Sequence, residues 1–293
     1  VAGHVGEKAM SRGYADTALG QIHYRREGSG PTLLLLSASG RSSRMFTRLL
    51  PLVASRFDAI ALDNPGFGGS DPLPDGTTIE QLAEAFIAVL DELGIERTHL
   101  YGLHTGNKIA TAIAARWPAR IDRLVLAGQS HSLIPDQAER NARILEIVRE
   151  YVEKPEHEES PALAEWASLF RRVSDLWWDR KLIGGGFSAV ERGFAQELVL
   201  DELEAAGTAG LYAANFAYDL GRDLARVAAP ALVVEVATPA EDRAIGRQGP
   251  AVQSLIPGSL LRTIEEPRGH TLTLENRARD LADILLEFLD APA

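Results

Sequence analysis

The sequence predicts an α/β protein: a mostly parallel central sheet with helices on both faces and a helical insertion in its later half. Three observations predict it. Strand-like and helix-like segments alternate through most of the chain. Several apolar runs, such as 32–36, are continuous instead of alternating, as expected of strands buried on both faces. Glycine-containing turns punctuate the runs.

In chain order, 20–26 reads as an early strand of a hairpin, and 32–36 and 57–62 as central strands. The second central strand ends at the turn Asp63-Asn64-Pro65-Gly66-Phe67-Gly68-Gly69-Ser70-Asp71. Between Thr78 and Leu93, Ile79, Leu82, Ala83, Phe86, Val89 and Leu90 recur at helical spacing, and Gly94 supplies the stop. A brief strand at 98–101 precedes Gly102-Leu103-His104-Thr105-Gly106, then a helix from about Asn107 to Arg116 that Pro118 closes. Strands follow at 124–127 and 231–236, and an amphipathic helix at 280–289.

From His131 to Arg226 the alternation gives way to successive helical patterns. This stretch holds more than half of the aromatic residues, Trp177 and Trp178 among them, which predicts a helical cap with an aromatic underside. Pockets between such units are lined mainly by apolar and aromatic side chains, so some of these rings are expected to face a cavity. The expected organisation is a core at 11–130 and 227–293, a cap at 131–226, and a leader or remnant at 1–10 with Met10 as the natural start.

A net charge of -11 and a pI near 5.2 disfavour nucleic acid and anionic membrane surfaces as partners. With no cysteine, thiolate nucleophiles, thiolate metal sites and disulfides are excluded. No apolar run approaches the ~18 residues of a membrane span. The expectation is a cytoplasmic protein, monomer or homodimer, acting on a small molecule.

The small-x-x-x-small turn at 102–106, set between a strand and a helix, has the form of a nucleophile elbow. Its central residue must adopt a strained backbone, and its flanks must be small enough to clear the neighbouring chain. Ser37-Ala38-Ser39-Gly40 follows the first buried strand, Asp63–Asp71 forms a D-x-P-G-x-G-x-S-D turn, and Gly269-His270 comes late. In this order the features resemble the α/β-hydrolase fold, in its epoxide-hydrolase, haloalkane-dehalogenase and C–C-hydrolase branch, over nearly the whole chain. The resemblance implies an oxyanion loop at 37–40, a catalytic base at His270, a cap, and a site without metal or cofactor.

Three departures stand against the pattern. The nucleophile position holds His104, the oxyanion loop lacks the usual His-Gly, and Pro239 falls where the family places its acid. Asp242, 28 residues before His270, is the expected replacement, with Glu241 next; Gln129 is another group able to orient His270. An imidazole of ordinary pKa near 6.5 offers a lone pair at neutral pH without an activating base. His104 is thus expected as nucleophile or general base, with His270 as acid/base partner and the two titrating as a coupled unit. Backbone N–H groups of Thr105 and the Ser39 region would stabilise an oxyanion, and Ser37, Ser39 and Thr105 also offer hydroxyls. His131 is placed at the pocket mouth at best, and His4, His23, His99 and His157 on the surface or in packing. His104, His270 and Asp242 also fit a two-histidine, one-carboxylate metal pattern, though the expected metal content is none.

Hydrolysis of a small apolar or aromatic ester, lactone, amide or activated C–C bond is the leading function. Lyase, decarboxylase, cyclase or cofactor-independent oxygenase chemistry is the alternative, because it needs proton transfer and an oxyanion site but no acyl-enzyme. A ligand-binding protein that has discarded catalysis is the third.

Overall fold

The computed structural model describes residues 10–128, 133, 138–139, 141–142, 197, 200–201, 204–205, 207–237, 247–265 and 277–291. Eight strands form one sheet: β1 (Ser11–Thr17), β2 (Gly20–Gly28), β3 (Thr32–Leu36), β4 (Asp58–Leu62), β5 (Thr98–Leu103), β6 (Ile121–Ala127), β7 (Ala231–Ala237) and β8 (Leu260–Glu265). Their order is β1-β2-β4-β3-β5-β6-β7-β8. The first two strands make an antiparallel hairpin and β2 pairs antiparallel with β4; every other pairing is parallel.

Side-chain alternation along the parallel strands feeds two separate cores. Leu34, Leu36, Ile60, Leu62, Leu100, Leu124, Leu126 and Val233 belong to one. Leu33, Leu35, Ala59, Ala61, Tyr101, Val125, Leu232 and Val234 belong to the other. This is why the central strands read as unbroken apolar runs: both faces of the sheet are covered. Helices α2 (Ile79–Glu92) and α3 (Thr105–Arg116) cover the first face, and α1 (Leu50–Val53) and the C-terminal helix α7 (Ala278–Leu289) the second. Between them in sequence lie α4 (Thr208–Ala217), α5 (Leu220–Leu224) and α6 (Gly249–Leu255). A capping box starts α2, in which the Thr78 hydroxyl accepts from the Gln81 N–H and the Gln81 side chain accepts from the Thr78 N–H.

The structure extends several expected elements. Strand β6 begins at Ile121, not Leu124, and α3 begins at Thr105, immediately after the turn, not at Asn107. Strands β1 and β8 escape the apolar-run criterion because they are edges: Ser11–Thr17 is mostly exposed, and Leu260–Glu265 buries only Ile264. Among the described residues no helix is long and apolar enough to cross a membrane.

The chain leaves β3 to build β4 on one side, then returns to place β5 on the other, with Leu36 level with Gly102. A reversal of strand order opens a crevice outside the carboxyl ends of the strands, the usual ligand position in open α/β sheets. The loop after β3 and the turn after β5 meet there.

Candidate active site

Strand β5 stops at Leu103 and α3 starts at Thr105, so a single residue makes the bend. That residue, His104, has φ 51° and ψ -104° and is the one non-glycine with positive φ among the described residues. Such a conformation costs on the order of 1–3 kcal/mol and persists only where its surroundings enforce it. The His104 N–H donates to the Ala127 carbonyl at 3.1 Å, tying the bend to β6. A Cβ on Gly102 would lie 2.2 Å from the Gly106 carbonyl oxygen, and one on Gly106 would lie 2.2 Å from the Leu36 carbonyl oxygen. Both obstacles are backbone and cannot step aside, which is the physical reason for glycine at these two positions.

Against the His104 ring lies Gly128, itself at φ 61°, where a Cβ would come within 2.9 Å of Cε1 and 3.0 Å of Cδ2. The ring is half-buried. Burial lowers the imidazole pKa from 6.5 to about 4, with the positive charge of Lys108 adding to the effect. Lys108, one helical turn further on, is itself buried. The ring is therefore neutral across the physiological range, well beyond the near-neutral titration expected from an unperturbed histidine.

Thr105 and Ser39 come together. Their hydroxyl oxygens are 2.5 Å apart across 66 residues of sequence, joining the loop after β3 to the first residue of α3. Among the described residues neither backbone N–H finds an acceptor, and the first N–H groups of a helix have no intrahelical partner. Thr105 directly follows the elbow residue, and the hydroxyl contact brings Ser39 up to it.

Ser37 differs. It is 1% exposed, its hydroxyl donates to the Arg41 carbonyl at 3.2 Å and accepts from Asn64 Nδ2 at 3.1 Å. Its hydroxyl shapes the loop from within. Asp63 accepts from the Ser43 and Gly69 N–H groups and from His23, whose Nδ1 lies 2.7 Å from Oδ2. Burial pushes the Asp63 carboxyl up, but these donors outweigh it and hold it below the ordinary carboxylate range. His23, expected on the surface or in packing, is a buried partner in this pair, and His99 is packed edge-on against Phe57.

His270, Asp242, Glu241, Gln129, His131, Trp177 and Trp178 lie outside the described residues, as do His4 and His157. Residues the sequence reading did not single out include Lys108, Gly128, Asn107, whose Nδ2 donates to the Ala127 carbonyl at 3.3 Å, and Asp201, which grips the loop after β3. Lys108 stands four residues past the elbow in the sequence, but its burial is visible only in the fold.

Residues 31–172 match the family model described as alpha/beta hydrolase fold. An uncharacterised hydrolase of Saccharomyces cerevisiae is 36% identical over 108 residues, covering 36% of this chain and 37% of that protein. A 2-hydroxy-6-oxononadienedioate/2-hydroxy-6-oxononatrienedioate hydrolase of Paraburkholderia xenovorans is 39% identical over 114 residues, or 37% of this chain and 39% of that one. The match thus spans well under half the length of these curated relatives. The structure of a hydrolase from Pseudomonas aeruginosa superposes with a TM-score of 0.75 at 26% identity, covering 96% of this chain and 99% of that one. The enol-lactonase from Burkholderia xenovorans gives 0.73 at 23% identity, over 95% and 100% of the two chains. With the sheet order and the glycine-walled elbow, these likenesses make the chain a protein of the α/β-hydrolase fold.

Proposed function

We propose that this chain is a cofactor-free hydrolase of a small apolar or aromatic ester, lactone, amide or activated C–C substrate, with the His104 imidazole as its reactive group. The observation that carries the reading is a ring held neutral, with a pKa of about 4, on the strained bend directly before Thr105, whose hydroxyl meets that of Ser39. The names of the relatives, a 2-hydroxy-6-oxo dienedioate hydrolase and an enol-lactonase, support hydrolysis on this scaffold.

A serine at an elbow must lose a proton to a base before it attacks. A neutral imidazole has a free lone pair already. In this mechanism a ring nitrogen bonds to the substrate carbonyl carbon, and the C=O π electrons move onto oxygen, where the Ser39 and Thr105 N–H groups receive the charge. Collapse of that oxyanion breaks the bond to the leaving group, which takes a proton from His270. Water then adds to the acyl-imidazolium carbon and gives its proton back to His270, and collapse of the resulting tetrahedral adduct breaks the C–N bond, releasing the acid and neutral His104. Lys108 disfavours a proton on the resting ring and so keeps the lone pair available. Asp242 or Glu241 would orient His270, and Trp177 and Trp178 would bound the apolar side of the substrate.

A panel of aryl esters, lactones and vinylogous 1,5-diketones tests the reading. Turnover that His104→Ala abolishes, with a single-turnover acyl adduct on the peptide carrying residue 104 by mass spectrometry, is the expected result. Turnover without an adduct would assign His104 to activating water. No turnover by the native chain, with esterase activity appearing in His104→Ser, would overturn hydrolysis in favour of lyase-type proton transfer.

A further inference from the structure

The loop after β3 is held by side chains from distant parts of the chain. Asn64 reaches Ser37, Thr105 reaches Ser39, and Asp63 accepts the Ser43 N–H. The remaining stretch, Arg41 and Ser42, belongs to Asp201. Its Oδ2 accepts from Arg41 Nε at 3.0 Å and from the Ser42 N–H at 3.2 Å, while Oδ1 accepts from the Ser42 hydroxyl at 2.6 Å and from Arg44 at 3.4 Å. Asp201 is 1% exposed and Arg41 is 3% exposed. A carboxylate so deeply buried is tolerated only when paired and fully hydrogen-bonded, and both oxygens here are engaged.

These bonds enclose Ser39. The Arg41 N–H donates to the Ala38 carbonyl at 3.3 Å and the Arg41 carbonyl accepts from the Ser37 hydroxyl at 3.2 Å, so residues 37–41 close on themselves with Ser39 at the apex. Asp201 fixes the C-terminal side of that closure and Thr105 its apex. We propose that Asp201 is a positioning residue, holding the loop so that the Ser39 N–H and the Thr105 N–H address the same substrate oxygen. The inference rests on the oxyanion reading given above. It assigns to a residue some 160 positions downstream of the loop a part in aiming a donor it does not touch.

The test uses the full chain with Asp201→Asn, which keeps the shape and removes the charge, and Ser42→Ala, which deletes the hydroxyl's bond to Asp201 together with its acceptance of the Arg44 N–H. Two readouts are taken: backbone hydrogen exchange by mass spectrometry, and kcat and KM on an aryl ester that the native chain hydrolyses. The expected result is faster exchange at 38–44, unchanged exchange in β5 and β6, and kcat lowered about 10- to 100-fold with KM within about twofold. Unchanged exchange at 38–44, unchanged kcat, or a rise in KM alone overturns the proposal. Should Asp201→Asn fail to fold, Ser42→Ala decides by the same criteria with a smaller fall in kcat. If the native chain hydrolyses nothing, the hydrolase reading fails separately, and exchange at 38–44 alone decides whether Asp201 holds the loop.

Discussion

The hydroxyl oxygens of Ser39 and Thr105 stand 2.5 Å apart, and this contact joins the loop after β3 to the start of α3 at the point where the sheet reverses its strand order. Removing either hydroxyl deletes the brace and leaves both backbone N–H groups in place. Ser39→Ala and Thr105→Val should each lower kcat about tenfold, which is ~1.4 kcal/mol of transition-state stabilisation, with KM nearly unchanged. Because they share one contact, the double variant should lose little more than either single one; additive losses would show that the two hydroxyls act separately.

The pH profile distinguishes the half-buried elbow imidazole from an ordinary one. Activity that needs neutral His104 should fall on an acid limb near pH 4, not near 6.5. Lys108→Met removes the cation that helps lower this pKa, so the limb should move upward. The stability sign follows from the same shift. Between about 4 and 6.5 the unfolded chain binds a proton that the folded chain refuses, so folding stability drops as the pH falls through this window. His104→Gln should flatten that part of the curve in chemical denaturation.

Gly128 faces the imidazole closely enough that an alanine cannot fit without moving it. Gly128→Ala should cost ~1 kcal/mol in stability from its positive φ, yet reduce activity far more than that loss explains. Histidine ring NMR should report a displaced titration for His104. Unaltered titration and activity would show that the ring has room to spare.

Asp63→Asn breaks the buried pair with His23 and should destabilise the fold by about 3 kcal/mol in urea unfolding. The native carboxylate, held below its ordinary range, contributes stability above the unfolded pKa of about 3.9, and this is lost as pH falls through the lower folded value. The variant should therefore lose less stability than the native chain on acidification below pH 4.

Gly106→Ala puts a methyl group 2.2 Å from the Leu36 carbonyl oxygen, a buried backbone atom that cannot step aside. The expected outcome is insoluble or unfolded protein, read by expression and circular dichroism. A folded Gly106→Ala variant would mean that α3 can retreat from β3.

Central strands and the elbow were legible in the sequence because burial on both faces writes itself as unbroken Leu, Ile and Val, and tight turns write themselves as glycine. Edge strands β1 and β8 were not, since half-exposed residues such as Tyr14 and Leu260 carry no such pattern. His104 was singled out by the spacing of its turn, and Ser39 and Thr105 by the family resemblance; the structure brings the last two into contact. What spacing could not convey is what depends on the folded environment. Ser37 looked like a donor to substrate and is spent inside its own loop; His23 looked incidental and is paired with Asp63. The depression of the His104 pKa arises from burial and a lysine charge, neither of which is a motif.

The bend at position 104 is held by backbone, through the His104 N–H on the Ala127 carbonyl and the close approaches at Gly102 and Gly106. Those backbone contacts make no demand on the identity of the 104 side chain. The scaffold can therefore exchange its working part by a single codon while the mount stays intact, and His104→Ser should fold as the native chain does.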